Sequence, residues 1–288
     1  MIVSLSTGSL YTYGLERVFA IAAETGFDAV EVLVDDRWDT RQPHFLAECR
    51  EKHEMPIASL HVPFAPRVDG WEADPICRLW RTADLAQELG VRLVVAHLPF
   101  RWHELRIVSS LWPPAYLPLF FAPRGGPYAD WLRHELPRYE AETGITIGVE
   151  NLPAKRWLWW QLNPCRMNTP QEMQLFPHVT LDTTHLATWG LDPLAVYQRL
   201  RERIVNIHLS NFDGEEHRLP WHGVLPLERF VSRLAADGYA GVLTIELHPG
   251  ALGAGDDDAV RGTLRRCARF CRAAAEMPAA RSVIKERD

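Results

Sequence analysis

Short runs rich in valine, isoleucine and leucine alternate along the chain with amphipathic segments of helical period. The apolar runs fall at 2–6, 28–34, 57–61, 91–97, 145–150, 178–182, 204–208 and 241–246. The helical patterns fall between and after them, at 15–25, 42–54, 72–89, 128–143, 170–176, 192–202, 226–237 and 257–275. Strands separated by helices predict a parallel sheet, because parallel neighbours need a long crossover connection. Eight such units predict a single (β/α)8 TIM barrel, spanning 1–276, with a polar C-terminal tail at 277–288. The competing architecture is an open doubly wound sheet, but no GxGxxG follows the first strand and no GxxxxGKS/T occurs. The glycines in TGFDAVEV, LGVRLVV, TGITIGV and DGYAGVLTI stand where a left-handed cap would end each helix before the next strand.

Seven of the eight strand patterns stop at an acidic residue or a histidine. The clearest are His61 in SLHVPF, His97 in VVAHLPF, Glu150 in IGVENLP, Asp182 and His185 in VTLDTTH, His208 in VNIHLSN and Glu246 in LTIELHP. All strands of a parallel barrel end at one mouth, so these side chains are expected to converge there. Any one of them alone reads as a buried group satisfied by a backbone carbonyl or an arginine. Together they would leave several buried polar groups in need of partners, and a divalent cation satisfies such a set at once. His217 and His222 lie in a polar segment, NFDGEEHRLPWHGV, where solvated loop histidines are the competing reading.

The loops on this side are enlarged after strands 4 and 5, at 98–127 and 151–169, and both are rich in proline and tryptophan. Loops of that length in a compact domain are usually lids or binding elements. Trp102, Trp112, Trp157, Trp159, Trp160, Trp189 and Trp221 all fall on the ligand-bearing side. Indoles there can face a sugar ring and exclude water, or pack the loops onto the rim, or form an oligomer contact.

Composition narrows the classes. No run of 18 apolar residues suggests a membrane span, and the first residues read as a strand rather than a signal peptide, so a cytoplasmic location is expected. Five cysteines without a CxxC pair are expected to be reduced and structural. A net charge of −6 weighs against a nucleic-acid surface.

In that order and on those strands, HVPF, VAHLPF, VENLP, LDTTH, IHLSN, EEHRLPWHGVL and TIELHP resemble the xylose isomerase-like barrels, which include sugar phosphate isomerases and epimerases and endonuclease IV (AP endonuclease family 2). The resemblance covers nearly the whole chain and implies one of two chemistries. In the isomerase and epimerase branch, one divalent ion, often manganese, is held by residues matching Glu150, Asp182, His208 and Glu246. The two glutamates then move a proton on the carbon next to a substrate carbonyl, and His185 and Arg218 match positions that hold substrate hydroxyls. In the endonuclease IV branch, three zinc ions share the matches of His61, His97, Glu150, Asp182, His185, His208, His217 and Glu246. An acidic residue two before His217 completes that set; the family has Asp there and this chain has Glu215.

The loops STGSLYTYG and VDDRWDTRQ do not resemble the DNA-inserting loops of the endonuclease, and Phe64 stands where that family has a tyrosine. The expectation is therefore a metal-dependent isomerase or epimerase of a small sugar-like molecule, with Glu150 and Glu246 as the acid/base pair. Trp102, Trp189 and Phe64 are expected to line the substrate. A trinuclear zinc phosphoesterase is the alternative, and a silent ligand-binding barrel a third. A homodimer or homotetramer is compatible with the exposed aromatic residues.

Overall fold

A computed structural model describes residues 1–65, 67–107, 115–157 and 159–277. Its eight parallel strands close in sequence order: β1 (Ile2–Ser6), β2 (Ala29–Leu33), β3 (Ile57–His61), β4 (Leu93–His97), β5 (Thr146–Glu150), β6 (Val179–Asp182), β7 (Ile204–Leu209) and β8 (Val242–Ile245), with β8 pairing back to β1. Every expected strand is present within two residues of its expected ends. Among the described residues no helix is long and apolar enough to cross a membrane.

The side-chain period of two divides the strands between an apolar outer face and a polar inner one, except on β4, where Leu93 and Val95 share the face of His97. Val3 and Leu5, Val30 and Val32, Leu60, Ile147 and Val149, Leu181, Ile207, and Leu243 and Ile245 join the buried apolar layer beneath the helices. The alternate residues, Ser4, Glu31, Ser59, Thr180, Asn206 and Thr244, are buried and polar. Barrel interiors are more often filled with branched apolar side chains. Here the interior carries a polar layer, hydrogen-bonded among Glu31, Ser59, Asn206 and Thr244, and the strand-end acids and histidines stand two residues further on, one step nearer the mouth.

The outer helices depart from expectation at three places. The single helix expected at 128–143 is two, Gly126–His134 and Leu136–Thr143, because Pro137 cannot continue the first helix's hydrogen bonds. The helix expected at 170–176 is a 3-10 turn, Glu172–Leu175, since Pro177 stops it after one turn. The segment expected as one helix at 192–202 is α-helical over Pro193–Leu200 and tightens to 3-10 geometry at Arg201–Arg203. A further short helix, Thr183–Thr188, was not expected; the Asp182 side chain caps it by accepting from the His185 N–H.

Among the described residues, the two segments expected as enlarged loops carry further strands. Each contains an antiparallel hairpin, Trp102–Ile107 with Ala115–Pro123 and Lys155–Trp157 with Trp160–Leu162. Trp112 and most of the expected tail lie outside the described residues.

Gly148 illustrates how closely the inner layer is packed. A Cβ at this position would stand 2.4 Å from Thr180 Oγ1 and 3.3 Å from a Val205 methyl. Gly148→Ala is expected to destabilise the barrel by about 1–3 kcal/mol through overpacking, visible as a lowered thermal midpoint. An unchanged midpoint would show that the wall can open here without cost.

Candidate metal centre at the barrel mouth

The parity of the strands brings the expected donors together. Three groups form, each with one ligand atom per residue and all those atoms within 4.8 Å of one another: Glu150, Asp182, His208 and Glu246; His61, His97 and Glu150; and Asp182, His185 and His217. Glu150 and Asp182 each belong to two groups, so the three are contiguous.

Glu150 lies at the centre. Its Oε2 is 3.2 Å from His61 Nε2 and 3.1 Å from His97 Nε2, while Oε1 is 3.0 Å from His208 Nδ1. His208 Nδ1 is also 2.9 Å from Glu246 Oε2 and 3.9 Å from Asp182 Oδ2. Asp182 Oδ2 is buried without a hydrogen-bond partner among the described residues, although the other carboxyl oxygen caps the following helix. A buried carboxylate oxygen aimed into such a group is what a cation would satisfy, and the oxygen and imidazole donors suit a divalent metal.

The histidines are held in place by their far nitrogens. His61 Nδ1 is 2.8 Å from the Val62 carbonyl and His185 Nδ1 is 2.8 Å from the Asn151 carbonyl. A carbonyl accepts only, so both rings carry the proton on Nδ1 and turn Nε2 toward the mouth. His208 is the reverse, with Nδ1 toward the carboxylates.

The electrostatics follow from burial and crowding. Burial alone would lower the pKa of His208, but Glu31, Glu246 and Glu150 outweigh it and hold the imidazolium well above the ordinary value. Burial opposes ionisation of Glu150 and Glu246 too, yet His208 holds both below the usual carboxylate range. Asp182 is pushed well up, first by burial and then by Glu150 and Glu246. His61 is raised because Glu150 overcomes its burial, whereas burial takes His185 down to about 4.

Not every expected residue joins. Glu215 is ion-paired with Arg218, its side chain 73% exposed, and stands outside all three groups. An Asx turn at Asp213, which accepts from the Glu215 N–H, and a left-handed His217 at φ 57° shift the register by one. Glu216 therefore turns inward, 3.8 Å from His185 Nε2, and burial raises its pKa. Arg218, expected to hold substrate hydroxyls, donates to Asp213 and Glu215.

Phe64 is exposed and stacks on His97, ring centroids 5.7 Å apart. Trp189 donates to the Leu152 carbonyl, and Trp102 packs edge-on against Phe120. Trp159 and Trp160 are exposed on the second hairpin, while Trp221 packs between Arg266 and Phe270. His222 stays solvated, so the loop reading holds for it and fails for His217.

Sequence reasoning missed Glu31. It is fully buried in the inner layer of β2, where a bulge after Val30 shifts the pairing with β3. The signal was present as an acid flanked by valines in AVEVL, in the middle of an apolar run rather than at its end.

A closed barrel with acids and imidazoles gathered at the C-terminal ends of its strands forms a candidate metal site where enzymes of this architecture carry their active sites. The family model described as xylose isomerase-like TIM barrel matches residues 19–267, and the chain belongs to that family. It is 28% identical over 270 residues to the uncharacterized protein ML2432 of Mycobacterium leprae (strain TN), covering 85% of this chain and 88% of that one. Among solved structures it is similar to 3-keto-D-glucoside 4-epimerase from E. coli in its apo form, with TM-score 0.67, 18% identity, and coverage of 95% and 99%. It is also similar to an AP endonuclease, family 2, from Brucella melitensis, with TM-score 0.64, 17% identity, and coverage of 94% and 99%. These likenesses to solved structures show the fold.

Ligation of a cation needs neutral imidazoles and ionised carboxylates, and the raised pKa values of His208, His61 and Asp182 oppose that. Cation binding is thus expected to release protons and to tighten as pH rises. Calorimetric titration with Mn²⁺ in buffers of different ionisation enthalpy measures the release. A heat independent of the buffer would contradict this assignment.

Proposed function

We propose that the protein is a divalent-metal-dependent isomerase or epimerase of a small sugar or sugar-like substrate. The observation that carries the reading is the group Glu150, Asp182, His208 and Glu246, four donors from four strands with two glutamates among them. Mn²⁺ or Zn²⁺ suits the set, and a cation bound there would supply a Lewis acid for a substrate carbonyl. Glu246 is the more accessible glutamate, its side chain 18% exposed against 1% for Glu150. Its low pKa leaves it ionised and able to take a proton from the carbon beside that carbonyl. Glu246 keeps the proton it took, Glu150 passes one to the carbon from the His61 imidazolium 3.2 Å away, and His185 holds a substrate hydroxyl.

A cavity of about 450 Å³ opens beside His97 and is lined by Phe64, Phe100, Tyr128, Arg78 and Arg124. Its volume falls in the range of small-molecule sites, and its aromatic walls present apolar faces to ring C–H groups. The partner this fits is a small molecule rather than a nucleic acid, in keeping with the net charge of −6. The free cysteines, four of the five buried, suit a cytoplasmic protein.

One observation favours a second reading. His61 and His97 with Glu150, and His185 and His217 with Asp182, supply two further donor groups that a one-metal isomerase does not need. A trinuclear zinc phosphoesterase of endonuclease IV type would use all three.

Elemental analysis of the purified protein separates the readings. About one ion per chain supports the isomerase, and about three zinc per chain together with cleavage of a phosphodiester at an abasic site replaces it. Within the isomerase reading, Glu246→Gln is expected to slow exchange of the substrate's α-proton with deuterated solvent by about 10²–10⁴-fold. Full exchange in that variant rejects the glutamate pair.

A further inference from the structure

The inner layer beneath the metal centre is joined by a chain of hydrogen bonds ending on one carboxylate. Thr244 Oγ1 donates to Asn206 Oδ1 at 3.0 Å, and Asn206 Nδ2 donates to Glu31 Oε2 at 3.0 Å. Ser59 Oγ donates to the same Oε2 at 2.7 Å. Both donors fall on one oxygen of Glu31, and the other, Oε1, is 3.0 Å from His208 Nε2. That last contact is an ion-pair approach rather than a formed hydrogen bond, and neither atom has a hydrogen-bond partner among the described residues. Glu31 and His208 are both fully buried, so no solvent reaches the contact.

We propose that Glu31 is a positioning residue for the metal centre, holding His208 with its proton on Nε2 so that Nδ1 is the nitrogen offered to the cation. Nδ1 is the atom that faces Glu150, Glu246 and Asp182. The other two buried histidines of the centre are held by backbone carbonyls, through Nδ1, and present Nε2. His208 presents the opposite nitrogen, and the residue behind it is a carboxylate that itself is fixed from two other strands. A carboxylate behind a ligating imidazole fixes its tautomer and makes it a better donor, and loss of such a partner commonly weakens metal binding by about 10–100-fold. Asn206 and Ser59 set the orientation of Glu31, and Thr244 sets that of Asn206. Four strands are thus tied to one ligand.

The inference rests on the metal-centre reading but not on any particular reaction. Its test is therefore binding, measured on the full chain by calorimetric titration of chelator-treated protein with Mn²⁺. Glu31→Gln keeps the side chain's size and is expected to weaken Mn²⁺ binding by about 10–100-fold relative to the natural protein. Equal affinity in the two proteins overturns the proposal while leaving the metal centre standing. Failure of both to bind Mn²⁺ or Zn²⁺ overturns the centre and the proposal together.

A second measurement covers the case in which Glu31→Gln does not fold. In the natural protein loaded with Zn²⁺, the nitrogen resonances of the His208 ring are expected to show a proton on Nε2 and the metal on Nδ1. The reverse assignment overturns the proposal, and a merely structural Glu31 would not dictate which nitrogen is metallated.

Discussion

One buried imidazole surrounded by carboxylates organises the mouth of this barrel. His208 stands within 4 Å of Glu31, Glu150, Asp182 and Glu246. Two like charges 4 Å apart repel by about 4 kcal/mol at an effective dielectric of 20, so four ionised carboxylates cannot share this space without compensating positive charge. The protein alone answers with an imidazolium at His208 and a raised Asp182. A divalent cation answers the same demand with two charges at one point and also satisfies the unpartnered Asp182 oxygen. The arrangement is costly as a purely structural feature, because buried acids bring desolvation penalties that apolar side chains would not. Groups perturbed in this way are found where chemistry needs them.

The fold delivers the arrangement through simple arithmetic. A strand period of two sends Ser59 and His61, Thr180 and Asp182, Asn206 and His208, and Thr244 and Glu246 to the same inner face. The upper member of each pair faces the mouth, and the lower member belongs to the buried polar layer beneath it. The outer face keeps the apolar residues that dock the helices. Catalytic variation and barrel stability are thereby assigned to different residues of the same strand, which is how one scaffold serves isomerases and phosphoesterases alike.

Much of this was legible in the sequence. All eight strands, the barrel, and the convergence of His61, His97, Glu150, Asp182, His185, His208 and Glu246 follow from apolar runs that end on donors, whereas His217 entered the set only through the family resemblance. Two things were hidden, for different reasons. Glu31 was missed because attention to strand ends overlooks a charge in mid-strand, where only knowledge of the barrel's inward face gives it a partner. The inward turn of Glu216 rather than Glu215 was hidden because a turn can shift register by one residue, and a left-handed histidine is not announced by its neighbours. The hairpins within the enlarged loops and the division of 126–143 by Pro137 are local outcomes in which turn chemistry overrides a helical or loop-like pattern.

The central claim is that a cation occupies the point shared by Glu150, Asp182, His208 and Glu246. Anomalous diffraction from crystals grown with Mn²⁺ tests it most directly. The account predicts an anomalous peak about 2.0–2.3 Å from a carboxylate oxygen of each acid and from Nδ1 of His208. Crystals saturated with Mn²⁺ that show no peak at that point, with the four side chains placed as described, would contradict it.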